Sequence, residues 1–280
     1  MKSTLLVASI ALFLLLAPPT FAHQPRMVDS TEITVLDPAV SKAYYGTLSG
    51  EPHVYTITAT EPFALYVGIL MPYVSDSKKD VSAEVRLGEE VLIVLGGEEA
   101  DWESMFEFFG QSTYWDGGEY KKEQAAAGVY TITVFSPQND NKYSLAVGEL
   151  EAFTLKETFS AATMVPELKR DFFNESPISF IKSPIGWGYI LVMYILAFLF
   201  GFLYRWLLKA FAAGTVRGVR SNIGKYDKAI RYALWLGLLI WAITTTWSPW
   251  LLFFSGFALF EAIFSWCGLY AALGRNTCPR

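Results

Sequence analysis

The chain has 280 residues, of which 52% are hydrophobic and 18% charged, a composition far from that of an average soluble protein. Its charges are divided: residues 23–183 contain 25 acidic and 12 basic residues, whereas residues 184–280 contain 2 acidic and 9 basic ones. This division argues against one soluble domain and against a nucleic-acid-binding surface. It predicts an acidic domain in water followed by a basic part in a membrane.

The first segment, residues 1–22, has the pattern of a secretory signal peptide. Lys2 is followed by an apolar run from Leu5 to Leu16, which is too short to cross a hydrocarbon core of about 30 Å. Small residues end the segment, so we predict cleavage after Ala22. An uncleaved membrane anchor is the alternative.

Residues 23–150 alternate between apolar and polar side chains in many short runs, for example at 54–58 and 129–135. Turn-forming Gly, Pro, Asn and Asp residues separate these runs. Seven or eight short strands predict an all-β, antiparallel, jelly-roll-like sandwich. Because residues 23–183 contain no cysteine, this domain must be stabilised by its core rather than by disulfides.

Aromatic residues are concentrated in one part of this domain. Between Trp102 and Phe109, large apolar residues recur with the spacing of one helix face, and we expect a short helix there. The candidate binding aromatics are Trp102, Phe106, Phe109 and Trp115, which would bind an extracytoplasmic protein or a polymer such as a sugar. The alternative is that they cover the open end of the sandwich.

The chain has two histidines, His23 and His53. If Ala22 is the last signal residue, His23 offers both its α-amino group and its ring to a metal. His53 could complete a three-nitrogen site of the kind that suits copper. The alternative is that both are ordinary histidines, and we expect no other cofactor.

The rest of the chain divides into a linker and a membrane part. Residues 151–184 mix polar and apolar side chains with several prolines, which predicts a linker with one short amphipathic helix. Residues 185–208 are apolar and long enough to span a bilayer. A basic loop is expected at 209–228, and residues 229–280 form an apolar hairpin interrupted at Pro249. We therefore predict an all-α region with three transmembrane helices.

The orientation of these helices follows from their loops. Residues 205–231 contain seven Lys or Arg residues and one acidic residue, whereas residues 244–249 contain no charge. The positive-inside rule therefore places the basic loop and the C-terminus in the cytoplasm. The protein is predicted to be a multi-pass protein of the cell (inner or plasma) membrane with its N-terminal domain outside the cytoplasm.

A spaced motif marks the C-terminal region. It comprises Asn222, Gly224, Asp227, Lys228 and Arg231, then an apolar hairpin, then Cys267, Tyr270, Gly274, Asn276, Thr277 and Cys278. The pattern resembles the YgaP-like inner-membrane two-helix family, although Gly268 stands where family members usually have proline. Some relatives carry this hairpin fused to a rhodanese sulfurtransferase. That domain is absent here, so the resemblance assigns no catalytic residue.

A second, shorter pattern occurs at the end of the predicted sandwich. Residues 127–148 contain A-G-x-Y-x-I-x-V followed by Y-x-L-x-V. This closing hairpin resembles that of bacterial pre-peptidase-C-terminal-like domains. The resemblance implies a non-catalytic accessory or binding module.

Three residues of the membrane part are candidates for chemistry. Cys267 and Cys278 are expected at the cytoplasmic face, where Arg275 and Arg280 would favour a reactive thiolate; the alternative is that both cysteines are packing residues. Glu261 lies inside the third predicted span and has no basic partner there. An acid at that depth is either functional or a neutral carboxyl facing the helix bundle.

These observations favour a binding role over catalysis. No nucleophile-elbow sequence accompanies His53, and we predict that the protein is not an enzyme. We predict a membrane-anchored cell-envelope protein whose extracytoplasmic sandwich is a binding module. One alternative is a thiol or sulfur-relay protein that uses Cys267 and Cys278, and another is an envelope copper-binding protein.

Overall fold

Two units divide the chain between Thr154 and Leu155. The computed structural model describes residues 23–75, 77–108, 110–152, 154–211 and 221–278. The predicted signal peptide, residues 1–22, lies outside the described residues. Each unit has a hydrophobic core of its own.

The described part of the first unit is built from β-strands. They are β1 (Gln24–Met27), β2 (Glu32–Thr34), β3 (Lys42–Thr47), β4 (His53–Ala59), β5 (Phe63–Pro72), β6 (Ser82–Leu87), β7 (Glu90–Gly96), β8 (Glu103–Glu107), β9 (Ser112–Ala125), β10 (Gly128–Phe135) and β11 (Lys142–Val147).

These strands form two sheets around one core. The six-stranded sheet has the order β1-β3-β11-β5-β9-β8, and the five-stranded sheet has the order β2-β4-β10-β6-β7. The prediction of an all-β N-terminal region is confirmed. The expectation of purely antiparallel pairing is wrong at two edges, where β1–β3 and β2–β4 are parallel. The chain crosses between the sheets there instead of turning back in a hairpin, which permits parallel pairing.

Alternating side chains of both sheets fill this core. Leu65, Val67 and Ile69 of β5 are fully buried, as are Ile132 and Val134 of β10. Their neighbours along β10 point outward and are more exposed, as the period of a strand requires. The alternation read from the sequence therefore corresponds to the observed core.

The segment predicted to be a short helix is a strand instead. β8 lies antiparallel to β9, with Phe106 opposite Thr113. Trp102 precedes the strand, so it does not share a helix face with Phe106. β9 pairs with β5 along one edge, and its other edge is open to a further strand. β8 forms because pairing with that open edge satisfies the backbone hydrogen bonds of both β8 and β9. Side-chain spacing over eight residues does not reveal that edge.

The second unit is helical, as predicted. Its elements are α1 (Leu155–Asp171), a 3-10 helix (Pro177–Lys182), α2 (Pro184–Phe211), α3 (Lys225–Thr244), α4 (Pro249–Phe264) and α5 (Gly268–Ala272). Most of the segment described above as a linker, 151–184, lies in this unit. Val165 of α1 packs in one cluster with Phe180, Tyr189 and Trp247.

One helix of the described residues is long and apolar enough to cross a membrane. It covers Pro184–Ala210 with a mean hydropathy of 2.0. α4 is apolar but has only 16 residues, and α3 carries several charges in its first two turns. The prediction of three spans is therefore not confirmed, whereas the helical character of the C-terminal region is.

Candidate functional sites

Exposed aromatic rings lie at the β8 end of the six-stranded sheet. Phe106 is 57% exposed and Tyr73 is 50% exposed. The Tyr73 N–H donates to the carbonyl of Thr113, and Phe106 also lies opposite Thr113 on the other side of β9. Residues opposite each other in a sheet point to the same face, so the two rings flank Thr113 on one face.

Trp115 supports this surface from the same face of β9. Its ring lies 4.4 Å from the Tyr73 ring, centroid to centroid, and the Lys79 Nζ lies 3.3 Å from the Trp115 ring centroid. Trp115 is also packed against the core. The arrangement is a cation–π contact next to an aromatic pair, and it holds Tyr73 in a defined position.

Trp102, another predicted aromatic residue, does not belong to this exposed surface. The Trp102 Nε1–H donates to the carbonyl of Gly97 at 2.9 Å. A Cβ at Gly117 would lie 2.6 Å from the Trp102 ring, so the ring occupies the space that this glycine leaves. Trp102 is therefore a packing residue. Phe109 lies outside the described residues.

The sequence pattern did not predict that Tyr73 and Lys79 belong to this surface. Tyr73 directly follows the long apolar strand β5, and its ring is exposed although its neighbour Met71 is buried. Lys79 lies in the connection to β6. Neither position belongs to a periodic run, so the only signal was an aromatic residue at the end of a strand.

The structure does not bring the two histidines together. The His23 Nδ1 is 2.6 Å from the Ser41 hydroxyl, at the start of β3, whereas the His53 Nδ1 is 2.7 Å from the Tyr143 hydroxyl. Tyr143 pairs with Gly46, which lies about 16 Å of strand away from Ser41. Among the residues that the structure describes, no group of three His, Cys, Asp or Glu residues could hold a metal.

His53 instead belongs to a polar link between the sheets. The hydroxyls of Tyr143 and Tyr55 share a hydrogen bond of 2.6 Å, and Tyr143 also contacts His53. Loss of solvation lowers the pKa of His53 and raises the pKa values of both tyrosines, so all three are neutral near pH 7. A Cβ at Gly46 would lie 2.5 Å from the Tyr143 ring, so this glycine makes room for it.

In the second unit, the motif residues meet in one hydrogen-bonded cluster. The Asn222 side chain accepts from the Cys267 N–H at 2.8 Å and donates to the Cys267 carbonyl at 2.9 Å. The Asn222 carbonyl accepts from the Thr277 N–H at 3.1 Å. The Thr277 hydroxyl accepts from the Gly224 N–H at 3.0 Å and donates to the Asp227 carboxylate. The start and the end of the motif are thus tied together at Asn222.

Glu261 has a basic partner that the sequence reading missed. The Arg231 Nε donates to the Glu261 carboxylate at 2.9 Å, and the Asp227 carboxylate lies 4.0 Å from the Arg231 guanidinium. The side chains of Arg231 and Glu261 are only 12% and 13% exposed. The Tyr270 ring packs 5.1 Å from the same guanidinium. Glu261 therefore lies in an ion pair between α3 and α4, and the separation of thirty positions between the two residues concealed this pair in the sequence.

The two candidate thiols contact neighbouring residues of one segment. Cys267 is 4% exposed, and its side chain lies beside Arg231 and Glu261. Cys278 is partly exposed, and its thiol donates to the carbonyl of Ser221 at 3.7 Å. Both are free cysteines. The backbone of Cys267 is held by Asn222, so both thiols are positioned by the segment that begins the motif.

The segment that contains this cluster matches a known protein family. Residues 219–280 match the family described as inner membrane protein YgaP-like, transmembrane domain. The match contains every motif residue from Asn222 to Cys278 and confirms the resemblance read from them. The YgaP-like region and the apolar helix α2 fit a protein associated with a lipid bilayer.

Solved structures give weaker similarities. The pre-peptidase C-terminal domain of a collagenase from Bacillus anthracis is 13% identical, over 45% of this chain and 96% of that one, with a TM-score of 0.26. β-Glucosidases from Kluyveromyces marxianus and Paenibacillus barengoltzii are 16% and 9% identical, each with a TM-score of 0.22. The chain spans only 13% and 14% of their lengths. These TM-scores are too low to carry an argument on fold or function. No curated protein sequence matches the chain.

Proposed function

We propose that the protein is anchored in the cell (inner or plasma) membrane and presents its β-sandwich outside the cytoplasm as a binding module. The YgaP-like region supports the anchor. The charge division supports the orientation, because the acidic sandwich suits water and the Lys and Arg residues of the C-terminal part suit the cytoplasmic face. The proposal assigns the protein no catalytic role.

The observation that carries the binding role is the aromatic surface of Tyr73, Phe106 and Trp115. Large rings held in place and half exposed are the usual anchors of protein interfaces, because they bury much area at little cost in side-chain entropy. Burying the exposed half of one such side chain is worth about 1 kcal/mol. The cation–π contact of Lys79 with Trp115 keeps the surface ordered before any ligand arrives.

Site-specific crosslinking tests this proposal. A photoreactive amino acid replaces Phe106 in the full-length protein, which is irradiated in its own membrane. The matched control is Val129, which is 50% exposed on the other sheet. We expect a discrete adduct from position 106 that position 129 does not give. The proposal is wrong if both positions give the same adducts or if position 106 gives none.

A thiol role in the second unit is a second candidate, supported by the placement of Cys267 and Cys278 against one segment. Since Cys278 is the more accessible thiol, its thiolate would attack the outer sulfur of a donor persulfide, and the donor would leave as a thiolate. Cys267 would be the buried partner. Mass spectrometry of protein isolated from cells would then find a persulfide on Cys278 that is absent from Cys278→Ser. Unmodified thiols at both positions would count against this role.

A further inference from the structure

The aromatic surface lies in a strongly acidic part of the chain. Residues 87–120 contain nine acidic residues and no Lys, Arg or His. Two of these acidic residues lie on β8 itself, the strand on which Phe106 is exposed. The Lys79 ammonium group, which comes from outside the stretch, lies 3.3 Å from the Trp115 ring centroid. The surface is therefore suited to cationic side chains.

β8 is also the last strand of its sheet. Within the part of the chain that the structure describes, no strand pairs with its outer edge. Such an edge presents N–H and C=O groups to which another extended chain can bind. The two faces of β8 differ: Phe106 shares the face of Trp115, whereas Glu103 and Glu107 point to the other face. Glu103 is exposed.

We propose that β8 binds an extended polypeptide segment in which basic residues alternate with apolar ones. Added as a further strand, the segment places its basic side chains beside Glu103 and Glu107 and its apolar side chains beside Phe106. The same carboxylates repel a second copy of β8, so the partner is a different chain. The inference rests on the binding role proposed above and specifies the chemistry of the partner.

The test uses the full-length protein in nanodiscs of zwitterionic lipid, where electrostatic binding of a cationic probe to the lipid is small. The probe is a capped, fluorescent peptide of alternating Lys and Val, about ten residues long, a common upper length for strands. A peptide of the same composition with its Lys and Val in two blocks is the comparison. We expect the alternating peptide to bind more tightly, because only its side chains match both faces of β8.

Variants then locate the binding. Glu103→Lys and Phe106→Ser should each weaken binding of the alternating peptide by about fivefold, the upper end of what one cross-strand contact contributes. Glu61→Lys changes the net charge equally at an exposed position between β4 and β5, and it should leave binding unchanged. Thermal unfolding checks that each variant is folded. If Phe106→Ser does not fold, Glu103→Lys, which lies at an exposed position, decides whether the peptide binds at β8.

Several outcomes would overturn the inference. Equal loss in Glu61→Lys and Glu103→Lys would show attraction to net charge alone, and equal binding of the blocked peptide would exclude strand pairing. Self-association of the protein through β8 would make a second copy the partner. A specific crosslink at Phe106 without binding of the alternating peptide would leave the binding role intact and overturn only this inference.

Discussion

The imidazole of His53 bonds to the Tyr143 hydroxyl inside the sandwich, and the burial of this imidazole makes the stability of the domain depend on pH. Burial lowers the pKa of His53, and also that of His23, below the value of about 6.5 that a histidine has in an unfolded chain. Above about pH 7 both histidines are neutral in the folded and in the unfolded state, so they do not change the stability with pH. As the pH falls below about 6.5, the unfolded state binds protons more readily, so the free energy of unfolding decreases.

Urea unfolding of the fragment 23–154 at pH 7.5 and pH 5.5 measures this effect. His53→Gln should be less stable than the wild type at pH 7.5, because the Tyr143 hydroxyl loses a partner, but its stability should change less between the two values. The ring of His23 bonds to Ser41 and not to Tyr143, so His23→Gln is the matched control that leaves the Tyr143 contact intact. An equal pH dependence in the wild type and in the double variant His23→Gln/His53→Gln would contradict the prediction.

Gly224 is the residue that allows the C-terminal tail to dock. A Cβ at this position would lie 2.1 Å from the Thr277 carbonyl oxygen, which is closer than any real contact. Gly224→Ala should therefore displace Thr277 and break its bonds to Asn222 and Asp227. We expect a lower melting temperature in detergent and faster maleimide labelling of the neighbouring Cys278.

Gly237→Ala is the matched control for this substitution. Gly237 lies within α3, and a Cβ there meets no atom within 4 Å. Alanine is preferred to glycine in a helix by about 1 kcal/mol, so this variant should be as stable as the wild type or more stable. Similar labelling rates for Cys278 in both variants would show that the tail does not depend on Gly224.

At the scale of the elements, the ion pair of Arg231 and Glu261 connects α3 to α4. Glu261→Gln removes the carboxylate that accepts from the Arg231 Nε, and the Asp227 carboxylate, at 4.0 Å, is more distant. Because both side chains are largely buried, we expect a loss of up to about 3 kcal/mol in the free energy of unfolding. Thermal melting of the purified protein in detergent measures it.

The double variant Arg231→Met/Glu261→Gln separates the pair from its parts. It removes both charges, so it should be more stable than Glu261→Gln alone. If the two single losses simply add in the double variant, Arg231 and Glu261 do not act as a pair. Glu61→Gln, an exposed acid of the sandwich, should leave the melting temperature unchanged.

β8 shows why an element can be misread when its neighbour is distant in the chain. The residues after Trp102 have the spacing of a helix face, but the open edge of β9 pairs with them. The α1 segment gives the opposite case. Its mixed composition predicted a short helix in a linker, whereas it forms 17 residues of helix that pack in the second unit. Tertiary contacts decided the outcome in both cases.

At the scale of the whole molecule, the proposed orientation is testable by labelling. Single cysteines replace Ser77 and Thr215 in a protein that lacks Cys267 and Cys278. Ser77 lies between β5 and β6, and Thr215 lies in the basic loop, outside the described residues. In intact cells whose outer barrier has been permeabilised, a membrane-impermeant maleimide should label position 77 and not position 215.

Lysed membranes provide the control for this experiment, because both cysteines should then react. Labelling of position 215 from the outside would reverse the orientation and would remove the sandwich from the extracytoplasmic side. Labelling of neither position in intact cells would leave the whole protein on the cytoplasmic side and contradict the predicted signal peptide.

The sequence by itself determined the class of each unit and the YgaP-like region. Alternation in the first unit and the long apolar run at 185–208 are local properties, and the structure shows both as predicted. The family comparison confirms the resemblance of the C-terminal motif. The motif from Asn222 to Cys278 could be read because its residues keep fixed spacings along the chain.

The tertiary structure alone decided which of these residues meet. Phe106 and Tyr73 form one surface because β8 and β5 flank β9, and Arg231 reaches Glu261 because α3 and α4 lie side by side. Such contacts join residues about thirty positions apart. Periodicity shows which face of an element is buried. Which element packs against that face depends on how distant segments of the chain come together, so a local pattern cannot predict it.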